Sequence, residues 1–217
     1  MAIIKPFSVG KTKGKLGDII YYEVAGEIRA RMVPTEVKDA KTPKQMAQRS
    51  RMKGVAEQYG MLDTQLYAYW KSLTEGTAMN AYSLFVSRNI RNIDGNGEVV
   101  DYAELCVTAG DLLVPSWVRM EEAEDGQRLV TWDASAEGWG NHATKDQLQL
   151  AVHTLRGNKG RERIKVVAET AAERKTGQYL WALPANLGKA HVYGFFRGKY
   201  FKEEVSDSFY LGMVGGD

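Results

Sequence analysis

The sequence predicts an α+β protein in which an N-terminal β-hairpin with two or three helices precedes a C-terminal antiparallel β-sandwich of about seven strands. The apolar pattern has the helical period between residues 42 and 91 and changes to a period of two beyond Leu112. The 22 glycines among 217 residues indicate many turns. Short runs rich in β-forming residues, separated by turn residues, recur over the second half, which is typical of a β-sandwich.

The first strands predict a hairpin. Asp18–Val24 and Ile28–Val33 are rich in β-branched and aromatic residues, and residues 25–27 between them have the composition of a turn. A loop that contains Lys11, Lys13 and Lys15 comes before the hairpin. This loop has neither the glycine spacing nor the following helix of a phosphate-binding P-loop. We therefore interpret it as a basic hairpin loop that contacts an acidic partner or a phosphate backbone.

Thr42 and Pro43 predict the start of a long helix, with Thr42 as the N-cap and Pro43 at the first helical position. Apolar residues recur at helical spacings as far as Tyr69, and we expect a break at Gly54 or Gly60. A second helix is predicted over about residues 78–91, because its apolar positions share one face.

Residues 93–97, with the sequence IDGNG, are the clearest linker candidate because they are rich in turn residues. The sequence is therefore divided into a basic module of hairpin and helices, residues 1–97, and a sandwich domain, residues 98–217. We expect the helices only in the first domain, and we expect Trp132 and Tyr193 to be buried in the second. The strands of the second domain are expected near residues 114–120, 130–132, 148–152, 161–169, 178–183, 189–197 and 203–211.

No pattern typical of catalysis is present in the sequence. Cys106 is the only cysteine, which excludes an intramolecular disulfide and a clustered thiolate site. The three histidines lack the spacing of a zinc site, and no Gly-x-Ser-x-Gly elbow occurs. We therefore predict no catalytic residue, no metal and no cofactor, and a protein that is not an enzyme.

Charge is divided unequally along the chain. Residues 1–95 contain 15 Lys or Arg and 9 Asp or Glu, a net charge of +6, and residues 96–217 contain 14 and 18, a net charge of −4. The basic half is expected to meet the acidic half of another copy or nucleic acid, and an ordinary solvated surface is the alternative. Trp139 is a further candidate for contact with a partner, because it lies in a glycine-rich loop, where a tryptophan need not be buried. The basic candidates for partner binding are Lys11, Lys13, Lys15, Lys41, Lys44, Arg49, Arg51 and Lys53.

Several segments together resemble a known pattern: Gly14–Tyr22, Gly26, Arg29–Arg31, Thr42–Arg49, Trp70–Leu73, Ala81–Ser87 and Val205–Gly212. Through them much of the chain resembles an uncharacterised family found mainly in Bacteroidetes and their phage-like elements. The resemblance implies no catalytic residues, because the family has no established activity. The second half separately resembles a fibronectin type III domain, because Trp132 stands where that fold buries a tryptophan of its second strand. This resemblance implies a fibronectin type III-like or immunoglobulin-like sandwich.

These observations lead to an expected function and location. We expect a non-enzymatic structural or assembly protein, a component of a phage virion or related particle, that contacts other copies of itself or other particle proteins. The alternative is a nucleic-acid-binding protein that uses the basic hairpin and helix, and a weaker one is a carbohydrate-binding module. The N-terminus lacks the apolar stretch of a signal peptide, so we expect synthesis in the cytoplasm, no membrane partner and association with a particle.

Overall fold

The computed structural model describes residues 2–4, 13–36, 39–135, 143–155 and 162–215. In these residues the chain is an α+β protein with three α-helices and eleven strands, and the strands pair in antiparallel sheets. The predicted fold class is therefore confirmed at this level. The chain divides into two compact units, which we call the N-terminal unit (Met1–Pro43 with Gly76–Ala78) and the C-terminal unit (Lys44–Glu75 with Met79–Asp217).

The N-terminal unit contains a four-stranded sheet where the sequence predicted a hairpin. Its spatial order is β1-β4-β3-β2, and the turn between β3 and β4 has positive φ at both Ala25 (51°) and Gly26 (79°), the conformation of a type I′ hairpin turn. Ile28, at 6% exposed, is the only buried apolar residue among those of this unit whose side chains are described. The strands are β1 (Ala2–Ile4), β2 (Gly14–Leu16), β3 (Ile19–Val24) and β4 (Glu27–Met32).

Three helices begin the C-terminal unit: α1 (Pro43–Met61), α2 (Thr64–Ser72) and α3 (Ala81–Asn89). Pro43 is the first residue of α1, as the sequence predicted. α1 ends one residue beyond Gly60, close to one of the two expected break positions, but it continues without a break through Gly54. A side chain at this position would collide with the backbone, since an added Cβ would lie 2.1 Å from the carbonyl oxygen of Gly97.

The predicted linker at residues 93–97 is instead a turn packed against α1. Ile93 is 2% exposed, and its carbonyl oxygen accepts a hydrogen bond from Arg51 Nε at 3.2 Å. The carboxylate of Asp94 accepts hydrogen bonds from the backbone N–H groups of Asn96 and Glu98. Composition indicated the turn correctly, but it did not reveal that a helix covers it.

Seven strands of the C-terminal unit form two antiparallel sheets. The first is three-stranded, in the order β5-β6-β9, and the second is four-stranded, in the order β11-β10-β7-β8. The strands are β5 (Val118–Glu122), β6 (Arg128–Trp132), β7 (Gln147–Thr154), β8 (Arg163–Glu173), β9 (Gln178–Trp181), β10 (Ala190–Arg197) and β11 (Phe209–Val214).

The four-stranded sheet contributes to two clusters of buried side chains. Alternate residues of β7 and β10 join Trp132 and Trp181 of the three-stranded sheet in one cluster. The intervening residues of the same strands join Leu66 and Tyr69 of α2 in the other. Trp132 (2% exposed) and Tyr193 (0%) are buried, as predicted, but Tyr193 belongs to the cluster on the helix side.

The helices therefore belong to the same unit as the C-terminal strands, against which α2 packs, and the compact units divide at residue 43. The sequence placed the domain boundary at residues 97 and 98, on the expectation that the helices belong with the hairpin. The amphipathic pattern of α2 shows that one face is covered, but not by which element. Whether residues 98–217 fold without the helices stays a prediction.

Candidate interaction surface

The strand register of the N-terminal sheet sorts its side chains into two different faces. Residues directly opposite each other in antiparallel strands point to the same side of the sheet. Leu16 pairs with Ile19, and Ile19 pairs with Met32, so these three residues form a row across β2, β3 and β4. They are 67%, 37% and 71% exposed, respectively. We call this side the apolar face, and its only charged residue on these three strands is Glu23.

The opposite side, which we call the basic face, has a different composition. Lys15 pairs with Ile20, which pairs with Arg31, and in the next row Tyr22 pairs with Arg29. Lys15 and Arg31 are exposed, whereas Arg29 and Tyr22 are half-buried. The Arg29 guanidinium is 3.1 Å from the carboxylate of Glu27, at the end of the same face. Three cations against one carboxylate make this face positive, and one aromatic ring lies among them.

The predicted basic residues do not all belong to this sheet. Lys13 precedes β2, Lys15 lies on the basic face, and Lys41 is exposed beyond β4, all in the N-terminal unit. Lys11 and Trp139 lie outside the described residues. Whether the basic candidates form one positive surface therefore stays a prediction. The remaining four lie on α1 in the C-terminal unit: Lys44, Arg49, Arg51 and Lys53.

Two of the α1 cations interact within the C-terminal unit. Arg51 is half-buried and donates to the carbonyl oxygen of Ile93, so it holds the 93–97 turn. Lys53 is exposed and lies 3.8 Å from Glu57, one turn further along α1. An exposed pair of this kind contributes little to stability and leaves the ammonium group accessible.

Sequence reasoning missed the apolar face and did not place Arg29 and Arg31 among the partner-binding candidates. The signal was present in the alternation of β3 and β4, where every second residue shares a side. It could be interpreted only once the turn at Ala25 and Gly26 fixed which residues of the two strands are opposite.

The C-terminal unit has a shallow cavity. It measures about 160 Å³, and Asp146, Lys199, Tyr200 and Phe201 are among the residues that line it. The Lys199 ammonium is 2.6 Å from Glu173, which raises the pKa of Lys199 and lowers that of Glu173 to about 2. The ammonium group of Lys199, which lines the cavity, is thus already engaged with a carboxylate.

Arg174 is fully buried beside this cavity, and its contacts are structural. Its guanidinium lies 3.9 Å from the centre of the Phe196 ring and 3.8 Å from the carboxylate of Asp146. It donates a hydrogen bond to the carbonyl oxygen of Leu113. Burial lowers the pKa of Arg174, and the nearby carboxylates of Asp146 and Asp133 oppose this effect. Through this hydrogen bond, Arg174 holds in place the backbone at Leu113, in the segment that leads into β5.

His153 and His191 are cross-strand neighbours on β7 and β10. Tyr102 stacks on the His191 ring at a centroid distance of 3.9 Å and also contacts His153. Burial, together with a smaller contribution from the neighbouring His191, lowers the pKa of His153 to about 4. In the part of the chain that the structure describes, no group of three or more His, Cys, Asp or Glu side chains could hold a metal ion.

Cys106 is a half-buried thiol with an elevated pKa. Its Sγ donates to the carbonyl oxygen of Thr108 at 3.2 Å, and burial raises its pKa to about 12. Because the thiolate is the nucleophilic form of cysteine, this thiol is unsuited to nucleophilic chemistry near neutral pH.

Comparison with known proteins identifies the family of this chain but no activity. The chain belongs to DUF6266, a family of unknown function whose model matches residues 11–212. No curated protein and no solved structure matches the chain. The resemblance to an uncharacterised family is therefore confirmed, whereas the bacterial and phage-like origin stays a prediction. Among the described residues, no helix is both long enough and apolar enough to cross a bilayer.

Proposed function

We propose that this protein is a non-enzymatic structural or assembly protein that works through protein–protein contacts. The observation that carries the proposal is the row formed by Leu16, Ile19 and Met32 on the apolar face. Contiguous exposed apolar patches on soluble proteins mark interaction sites more often than scattered single residues do. A small sheet with one buried apolar residue among its described side chains also gains stability when another surface covers it.

We further propose that β5–β11 form a fibronectin type III-like sandwich. Three features support this: the strand orders β5-β6-β9 and β11-β10-β7-β8, the buried cluster with members from both sheets, and the position of Trp132 on the second of the seven strands. Such a sandwich suits a protein that makes contacts, although a fold alone does not determine a function. A role in a phage virion or related particle, after synthesis in the cytoplasm, is proposed from the sequence resemblance alone.

Nucleic-acid binding is the second candidate, and the basic face favours it. Tyr22 lies in the row next to Lys15 and Arg31 and directly opposite Arg29. Single-strand binders combine cations that follow the phosphate backbone with aromatic rings on which bases stack. A single half-buried tyrosine offers one stacking position, so we rank this function below assembly.

One sample can test both functions. The purified chain is expected to self-associate in a sizing experiment, or to co-purify with a particle protein, and to bind single-stranded and duplex nucleic acid weakly even at low salt. Tight binding that falls steeply with salt, by a protein that remains monomeric, would reverse the ranking, because counterion release produces that dependence. Arg29→Gln with Arg31→Gln is the matched variant, since it discharges the basic face and leaves the apolar row intact.

A further inference from the structure

We infer that the shallow cavity of the C-terminal unit binds a neutral oligosaccharide, whose sugar rings pack on Tyr200 and Phe201. Its walls come from three parts of the chain: Leu112 and Leu113 before β5, the turn before β7 with Asp146, and the loop of residues 198–204 between β10 and β11. All of these residues belong to the C-terminal unit, so the inference does not depend on the apolar face or on the proposed assembly function.

Two adjacent aromatic side chains line the cavity and remain largely exposed to solvent, Tyr200 at 55% and Phe201 at 65%. Two backbone hydrogen bonds close their loop, one from the N–H of Gly198 to the carbonyl oxygen of Glu204 at 2.9 Å and one from the N–H of Glu204 to the carbonyl oxygen of Phe201 at 3.0 Å. The loop therefore presents both rings before a ligand arrives, which lowers the entropic cost of binding. The negative face of an aromatic ring attracts the C–H groups on the apolar side of a pyranose ring.

A second cavity continues the first and gives the site the length of more than one sugar. It measures about 470 Å³ and shares Leu112 and Glu204 with the first, and Ser72, Asp111 and Glu203 also line it. The first cavity, at about 160 Å³, has the volume of about five water molecules at ~30 Å³ each, which is room for one monosaccharide. An elongated groove of this kind fits an oligosaccharide better than a compact ligand.

The charged groups of the first cavity suit sugar hydroxyls. A hydroxyl both donates and accepts hydrogen bonds, so it can use the carboxylate of Glu204 and the ammonium of Lys199 alike. Lys199 donates to Glu173 at 2.6 Å, and an ammonium group has further donors for a ligand. The carboxylate of Asp146 lies 3.8 Å from the guanidinium of Arg174. Because these two charges are compensated within the protein, no charged ligand is needed to neutralise them.

The charges also oppose two other classes of ligand. Lys199 is the only basic residue among the described residues that line the two cavities, whereas four carboxylates line them. Phosphates and acidic polysaccharides are therefore repelled. Organic cations otherwise favour aromatic rings, but here they meet Lys145, whose ammonium lies 5.6 Å from the centre of the Tyr200 ring and donates to its hydroxyl at 3.1 Å. A neutral ligand rich in hydroxyl groups remains.

Calorimetric titration of the full chain with cellohexaose, xylohexaose, mannohexaose and maltohexaose tests the inference, with hexagalacturonate as the acidic probe and choline as the cationic one. At least one neutral probe is expected to bind with a Kd on the order of 0.1–1 mM, because two rings and a few hydrogen bonds form a small contact. Phe201→Ala and Tyr200→Ala are each expected to weaken this binding about tenfold. Tyr67→Ala is the matched control, because Tyr67 is 45% exposed on α2 and lines neither cavity.

Circular dichroism checks that each variant folds, and Phe201→Leu, which removes the ring but keeps an apolar side chain, replaces a loop variant that does not. Binding of a neutral probe that the loop variants weaken and Tyr67→Ala leaves unchanged supports the inference. Failure of all the neutral probes to bind at millimolar concentration overturns it, and so does binding that the loop variants leave unchanged, because the sugar then lies elsewhere. Hexagalacturonate or choline that binds more tightly than every neutral probe also overturns it. The assembly proposal is decided by the sizing experiment, so none of these results affects it.

Discussion

The carboxylate of Asp63 joins the start of α2 to Val166 on β8. One of its oxygens accepts a hydrogen bond from the backbone N–H of Leu66 at 2.8 Å, which caps the helix, and the other accepts from the backbone N–H of Val166, also at 2.8 Å. The backbone N–H of Asp63 in turn donates to the carbonyl oxygen of Ile164 at 2.8 Å. Because β8 is the outermost strand of its sheet, this side chain both positions the helix and occupies part of an exposed strand edge.

Replacing Asp63 should therefore cost more than the loss of an ordinary helix cap. Asp63→Ala removes the cap and leaves the N–H of Val166 without its acceptor, so we expect a loss of about 2–3 kcal/mol in the free energy of unfolding. The measurement is urea denaturation. Asn80→Ala is the matched control, because Asn80 caps α3 alone, through the N–H of Ser83 at 2.8 Å. Equal losses for the two variants would contradict the bridging role.

Gly54 and Gly60 give a second matched pair within α1. Alanine stabilises an exposed helix position by about 1 kcal/mol relative to glycine. At Gly60 an added Cβ meets no atom within 4 Å, so Gly60→Ala should be stabilising. At Gly54 the Cβ would lie 2.1 Å from the carbonyl oxygen of Gly97, so Gly54→Ala should destabilise the protein despite the better propensity of alanine. Thermal melting of both variants checks this, and a gain in stability at Gly54 would show that the turn is not held against the helix.

The same pair illustrates what the sequence could and could not predict. The start of α1 was predictable because Thr42 and Pro43 act within one turn of the chain. The burial of Trp132 was predictable because a large aromatic residue in an alternating strand points into a core. The contact of Gly54 with the 93–97 turn joins residues some forty positions apart, and no local propensity encodes it. The two faces of the N-terminal sheet depended on strand register, which shifts every side chain to the opposite side if it changes by one residue.

The 93–97 turn also gives a proteolysis prediction. A linker at residues 93–97 would predict cleavage between residues 93 and 110, with release of a C-terminal fragment. Since Ile93 is buried and the carboxylate of Asp94 accepts from the backbone N–H of Glu98, we expect a glutamate-specific protease to leave Glu98 uncut in the native chain. Mass spectrometry of the products checks this against a urea-treated control. A stable fragment that begins at residue 99 or residue 105 would instead support the predicted domain boundary.

His153 should make stability depend on pH. Its pKa is about 4 in the folded chain and about 6.5 when unfolded, so the unfolded state binds more protons between these values. Its contribution is therefore fully present above about pH 6.5 and is lost as the pH falls towards about 4, by about 3 kcal/mol in total. His153→Leu should flatten this part of the pH dependence in denaturant titrations. An identical slope for variant and wild type between pH 6.5 and 5 would show that other groups cause it.

Trp132 gives the sharpest test of the C-terminal core. Its ring packs edge-on against Phe196, with a centroid distance of 5.7 Å, and its Nε1–H donates to the carbonyl oxygen of Arg174 at 2.8 Å. Trp132→Ala should lower the free energy of unfolding by about 3–5 kcal/mol, because it leaves a cavity between the two sheets. Trp132→Phe should cost less, because it keeps most of the packing and loses chiefly the hydrogen bond, which leaves a buried carbonyl group without that donor.

Trp117→Ala is the control, since Trp117 is 49% exposed and its removal should change stability by less than about 0.5 kcal/mol. If Trp132→Ala and Trp117→Ala denature at the same urea concentration, the two sheets do not share the core described here.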